Sequence, residues 1–280
     1  MRFSLFKEYG ALNSKPVFEA FEHSLRAAGH TVTESDMHSD VAVIWSVLFH
    51  GRMSGNKPIW DYYTRTGRKV IVLEVGGIQR GTTWKVGLNG VNRDAYFGET
   101  GNDDVRANML GLELKPWRED GEYILICGQH DKSLQWRNQP SMSNWFMQTY
   151  DKIRKHTDRP IIFRPHPRCR LPHIELGLKY VYRQDPKYIE GTYDDFDILF
   201  DNIWATISWS SNSGIHSVID GVPAFVGPSS LAYDVAGHYL QHIEHPTTPH
   251  RQQWLNDYAW TEFTVEEIAQ GIPLERLTKR

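Results

Sequence analysis

Four short apolar runs constrain this chain more than any other feature: Val41-Ala42-Val43-Ile44-Trp45, Lys69-Val70-Ile71-Val72-Leu73, Tyr123-Ile124-Leu125-Ile126-Cys127 and Pro160-Ile161-Ile162-Phe163-Arg164. None shows the polar–apolar alternation of a strand with one wet face, so each suits a sheet covered on both sides. Amphipathic stretches separate them. Val17 to Ala28 puts Phe18, Phe21 and Leu25 on one helical face. Asn56 to Thr66 reads as a helix with Pro58 in its first turn and Gly67 as its stop. Strands and helices in alternation predict an α/β chain with a mainly parallel sheet.

The pattern runs twice. Arg2 to Phe6 is a further strand of the first half. From Gly76 to Asp104 glycines recur and periodicity is lost, which predicts a long loop; Trp84, Tyr96 and Phe97 argue that it is ordered. In the second half, Ser143 to His156 is expected as a helix capped by Ser143, followed by a strand at Lys179–Tyr182 and a helix over Tyr193–Asn202. Trp204–Ile207 is a strand, Ser213–Asp220 a helix ended by Gly221, and Pro223–Val226 a closing strand. The tail from Arg251 to Gly271 reads as one or two helices. The expectation is two Rossmann-like lobes with a cleft between them, residues 1–120 and 121–280, the C-terminal helices belonging to the second. Ligands of such sheets bind beyond the carboxyl ends of the strands.

Composition narrows the function classes. With 280 residues, 40% of them apolar, the chain can build two modest cores. A net charge of −3 excludes the global basic field of many nucleic-acid binders and leaves only a local patch. Cys127 and Cys169 are far apart and outside any CxxC pair, so buried thiols in a reducing compartment are expected. No apolar run approaches the ~18 residues of a bilayer span, and Met1 to Lys7 lacks a signal-type apolar region. These features point to a soluble, cytoplasmic protein. There is no DxD or HExxH string; Asp194, Asp195 and Asp197 read as an acidic helix start, so no metal is expected.

Three strand ends in the second half carry polar residues. The first is Cys127-Gly128-Gln129-His130-Asp131, where Gly128 permits close backbone approach to a ligand. The second is Arg164-Pro165-His166-Pro167-Arg168-Cys169-Arg170: two prolines hold the chain extended around His166, and arginines suit phosphate. The third, Ser208-Trp209-Ser210-Ser211-Asn212-Ser213-Gly214, follows a strand and opens a helix, where free amides and small hydroxyls make an anion site. Each also has an ordinary structural explanation: a turn, a stiffened basic loop and a serine N-cap.

Their order and spacing resemble the C-terminal domain of GT-B glycosyltransferases, and of the bacterial capsule-synthesis Kdo transferases in particular. The matching strings are Ile126-Cys127-Gly128-Gln129, Pro165-His166-Pro167, and Ser210-Ser211-Asn212-Ser213-Gly214-Ile215 followed by Gly221-Val222-Pro223, within residues 122 to 236. The resemblance implies a two-lobed enzyme that moves a sugar from a nucleotide-sugar donor to a hydroxyl. His166 would bind the donor phosphate, with Ser210, Ser211, Ser213 and the amide of Gly214 completing the cradle and Gly128, Gln129, Arg164 and Arg168 around it. Where the family carries an acidic residue after the serine turn, the run here is Ile215-His216-Ser217-Val218-Ile219-Asp220, so a CMP-sugar, a UDP-sugar and other nucleotide sugars all stay open. No cofactor is required. A sugar-nucleotide epimerase or a non-catalytic nucleotide-binding module are the alternatives.

An inverting transfer needs a base. Glu74, closing a buried strand beside Gly76 and Gly77, and Glu8, after the first strand, are the candidates, with His166 as a proton carrier in the donor half. The stretch His50–Ala95 is basic and interleaved with aromatics, and Arg80, Trp84, Lys85 and Arg93 are its acceptor-binding candidates. Its partner is a glycan or, as in phage glycosyltransferases of similar architecture, hydroxymethylated pyrimidine in DNA. The oligomeric state stays open.

Overall fold

The computed structural model describes residues 1–169, 171–187 and 198–279. In chain order its elements are β1 (Arg2–Leu5), α1 (Lys15–Ala27), β2 (Thr31–Glu34), β3 (Val41–Trp45), α2 (Asn56–Arg65), β4 (Lys69–Val75), β5 (Thr83–Leu88) and α3 (Val105–Met109). There follow β6 (Tyr123–Cys127), α4 (Met142–Ile153), β7 (Ile161–Arg164), β8 (Val181–Arg183), β9 (Ile203–Ile207), α5 (Asn212–Ile219), β10 (Ala224–Phe225) and α6 (Gln252–Tyr258). The tail adds β11 (Glu262–Thr264), α7 (Val265–Ala269) and α8 (Ile272–Thr278). The chain is mixed α/β with two parallel-rich sheets. No helix among the described residues is long and apolar enough to cross a membrane.

The first compact unit comprises Met1–Leu112, Lys132–Leu134 and the tail from Asn256. Its sheet has the order β11-β5-β4-β3-β1-β2. Pairs among β1, β2, β3 and β4 are parallel, whereas β5 runs antiparallel to both β4 and β11. The uninterrupted runs of β3 and β4 are buried, as their composition requires. Helix α1 buries Val17, Phe18, Phe21 and Leu25 on one face.

Two expectations fail here. The segment Gly76–Asp104 holds a strand: every residue of β5 is buried, including Lys85. A charge in the middle of the run hid the strand, because burying it depends on carboxylates supplied by neighbouring strands. The tail also does more than form helices. It contributes β11, which pairs with β5, so residues from Asn256 belong to the first unit, not to the second half. Arg106 secures this return: Nε donates to the Ala259 carbonyl at 2.7 Å, and Nη1 and Nη2 reach the Glu267 carboxylate at 2.7 and 3.0 Å. Glu267 also closes a capping box with Thr264 at the start of α7.

The second unit comprises Glu113–Asp131 and the described part of Gln135–Leu255. Its sheet has the order β10-β9-β6-β7-β8, all parallel. Alternate residues of β6 divide its two faces. Ile124 and Ile126 pack with Phe146 of α4, and Leu125 and Cys127 face the other way. On that second face, Ser217 of α5 donates to Thr206 of β9 at 2.8 Å. Helices α4 and α5 thus cover opposite faces, as right-handed crossovers in opposite directions demand. The cap of α4 is Ser141, whose Oγ accepts from Asn144 N at 3.3 Å, and not Ser143, which lies inside the first turn. Tyr193–Phe196 and Asp197, the start of the expected helix, lie outside the described residues together with the three aspartates noted there; Phe200 to Asn202 are not helical.

Candidate functional site

From β6 the second sheet grows through α4 to β7 on one side, while β9 lies on the other side and continues through α5 to β10. The crevice between the carboxyl ends of β6 and β9 is therefore a topological switch point, the place where open α/β sheets bind ligands. Gln129 follows β6 and Ser210 follows β9. The Gln129 Oε1 accepts from the Ser210 amide at 2.9 Å and from its hydroxyl at 3.1 Å. This bond ties two of the three predicted strand ends together.

Helix α5 opens from this point. Ser211 is its N-cap, with extended backbone and a hydroxyl accepting from Ser213 N at 3.4 Å. The Gly214 amide, expected to complete the cradle, instead donates to the Ser211 carbonyl at 3.1 Å, so what the start of α5 offers an anion is its dipole and the serine hydroxyls. Beside them is a group that the serine pattern did not single out. Ser208 is 3% exposed and its hydroxyl has no hydrogen-bond partner. It lies against Gly214: a Cβ there would sit 2.7 Å from Ser208 Oγ and 2.9 Å from a Val226 methyl. A buried hydroxyl without a partner costs stability and calls for a ligand atom or water to satisfy it.

The third strand end joins through histidines. His166 Nδ1 accepts from the Arg168 amide at 3.1 Å, which leaves the proton of the neutral ring on Nε2 as a donor. Its ring lies edge-on to that of His130, with centroids 5.7 Å apart. His130 was legible only as a neighbour of Gln129. Arg164 is 8% exposed and donates to Gln184 at 3.4 Å, so part of its guanidinium is already engaged within the unit. Arg168 is exposed and its bond to His166 is made by its backbone. Gly128 is not required by packing, since a Cβ would meet His166 N at 3.4 Å, an ordinary contact. Burial pushes the Cys127 thiol up to about 11, against the pull of the Ser213 hydroxyl and Arg164, so it behaves as an inert core thiol.

In the first unit the predicted residues separate. Glu8 is exposed and accepts from Ser35 Oγ at 2.8 Å. Glu74 is tied to Ser46, which stands just after β3 with φ 63°, and to the Val75 amide at 2.9 Å. Burial pushes its carboxyl above the ordinary range, with Ser46, Val75, Lys85 and Arg80 pulling back.

The acceptor candidates need correction. Trp84 is 4% exposed and packs on Trp45 with centroids 5.7 Å apart, so it is core and not a binding surface. Lys85 is 3% exposed and stands in register between Glu74 of β4 and Glu262 of β11. Burial lowers its pKa, opposed by Glu262 and Glu74. Both faces of β5 are buried, so the Trp84 ring joins the core on one face and the Lys85 charge on the other is neutralised across strands. Arg80 is half-buried, and Arg93 alone of the four is exposed. Glu262 was missed, and no local signal marks it. Fully buried, it accepts from Gly77 N at 2.7 Å, Ile78 N at 2.9 Å and Thr83 Oγ1 at 2.8 Å, across 179 to 185 residues of sequence.

No protein-family model matches this chain, and no curated protein matches it in sequence. Solved structures do resemble it. One is Thermosulfurimonas dismutans KpsC, described as a beta Kdo 2,7 transferase, at 15% identity and TM-score 0.52, over 98% of this chain and 99% of that one. Another is Thermosulfurimonas dismutans KpsC described as a beta Kdo 2,4 transferase, at 12% identity and the same TM-score, over 98% of each chain. At these identities the likeness is one of fold.

Proposed function

We propose that this chain is a glycosyltransferase that takes its sugar from a nucleotide-sugar donor, with the donor phosphate seated at the N-terminus of α5. The observation that carries this reading is the buried, unpartnered Ser208 hydroxyl beside Gly214, at a helix start tied to the end of β6 by Gln129. When the bond from the anomeric carbon to the phosphate oxygen breaks, negative charge builds on the leaving phosphate. The α5 dipole, the serine hydroxyls and His166 Nε2–H are neutral donors and dipoles suited to hold it. The names of the structural neighbours make Kdo the first sugar to test. Glu74, whose proton affinity is raised, has the chemistry to take up the acceptor proton. A glycan hydroxyl is the proposed acceptor. The burial of Trp84 and Lys85 removes two of the four acceptor-binding candidates, whichever the partner.

The test is calorimetric titration with CMP, UDP, GDP and ADP. One nucleotide is expected to bind, and His166→Ala and Ser211→Ala each to weaken it by about ten-fold, the worth of one charge-assisted hydrogen bond. Absence of binding by all four, or unchanged affinity in both variants, would overturn the reading. Incubation with the matching nucleotide sugar and no acceptor should give no isomerised sugar; an epimerase would give one.

A further inference from the structure

We propose that the α4 side of the second sheet carries a binding groove, reaching Ser208 at the end of β9, for a short acidic oligosaccharide. The groove has a volume of about 510 Å³, within the ~300–1,000 Å³ typical of small-molecule sites. It lies on the face opposite α5, floored by Ile207 and Phe225 and walled by Trp145 and Trp209. Ser208 and Val226, placed above beside the start of α5, also line it, so the groove adjoins the proposed donor site; holding a saccharide there goes beyond the reading above.

The floor is built rather than incidental. Trp209 Nε1 donates to the Gln135 carbonyl at 3.0 Å, and its ring stands edge-on to Trp136 at 6.0 Å. A Cβ on Gly227 would meet the Trp209 ring at 2.5 to 2.9 Å, so glycine is what lets the indole lie against the backbone. Tyr239 stands on the rim, 67% exposed. Rigid aromatic faces of this kind pack against the C–H face of a pyranose while amides reach its hydroxyls, and Gln139, Gln148 and Gln241 line the same groove.

Charge decides the class of saccharide. Lys152 of α4 and Lys155 just beyond it line one end, with His156 and His238 also on the wall. No aspartate or glutamate is among the described lining residues, and neither lysine forms an ion pair among the described residues. A concave site with ammonium groups and no carboxylate selects an anion. Its limited volume suits two or three sugar units rather than a nucleic-acid backbone.

The test titrates the full chain, without donor, with trigalacturonate, maltotriose and a short oligothymidylate. Trigalacturonate is expected to bind at least about ten-fold more tightly than maltotriose, and the double variant Lys152→Gln/Lys155→Gln to lose that margin. Tyr239→Ala is expected to weaken both sugars, and His166→Ala to change neither. All three altered groove residues are exposed, so an unchanged melting temperature shows that folding is intact. Four results would overturn the proposal: no saccharide binding, equal affinity for the acidic and neutral trisaccharides, wild-type affinity in the groove variants, or tighter binding of oligothymidylate than of trigalacturonate.

Discussion

One carboxamide oxygen, Gln129 Oε1, takes both the amide and the hydroxyl of Ser210, and so joins the ends of β6 and β9 across the switch point of the second sheet. Both donors are buried with it. Gln129→Leu is therefore expected to strand them and to destabilise the protein by ~1–3 kcal/mol, while Gln129→Glu keeps an acceptor and most of the stability. Chemical denaturation of the two variants checks this. If Leu and Glu behave alike, the bond does not hold the crevice.

Gly214 is a tighter constraint. Because a Cβ there runs into Ser208 Oγ and Val226, Gly214→Ala must push β9 or β10 away from α5. Such overpacking typically costs ~1–3 kcal/mol. The same shift displaces the start of the helix, so nucleotide affinity should fall along with the melting temperature. A double variant, Gly214→Ala with Ser208→Gly, should recover part of the stability by making room.

The raised pKa of Glu74 has a definite sign. The folded state binds this proton more tightly than the unfolded chain, so the stability contributed is full below the ordinary value of 4.5 and is lost as pH rises through the folded value. Glu74→Gln mimics the protonated form. Its melting temperature should match the wild type in acid and exceed it by a growing margin as pH climbs above 4.5. A margin that is flat with pH would show that Glu74 titrates normally. The same variant is expected to slow transfer while leaving nucleotide affinity unchanged.

Glu262 is the clamp of the returning tail. Glu262→Ala leaves Gly77 N and Ile78 N without this acceptor, turns Thr83 Oγ1 back to the Gln79 carbonyl and removes a carboxylate beside Lys85. With ~1–3 kcal/mol for each buried group left unsatisfied, the loss should reach on the order of 4 kcal/mol. Limited proteolysis should then cut near Gly76–Thr83 faster than in the wild type. Unchanged proteolysis and stability would mean that these donors find other partners.

Much of this protein follows from local pattern. Five-residue apolar runs can be buried only on both faces, so β3, β4, β6 and β7 were legible, and with them α/β architecture. The gathering of these strand ends was legible for a related reason: in a parallel sheet, residues just after successive strands lie at one end whatever the loops do, so the segments that carry Gln129, His166 and Ser210 share the carboxyl end of the second sheet. Tertiary structure alone decided the rest. Lys85 reads as a surface charge until Glu74 and Glu262 stand on either side of it, and β5 stays hidden with it. Glu262 finds its donors 185 residues away, and no periodicity encodes a partner at that distance. Ser208 reads as one more serine in a polar turn; only the approach of Gly214 and Val226 buries its hydroxyl without a partner. Backbone periodicity is a short-range property and determines which segments are strands and helices. Pairing of buried polar groups is a long-range property, set only when the segments pack, and it determined which of the candidate residues belong to a core.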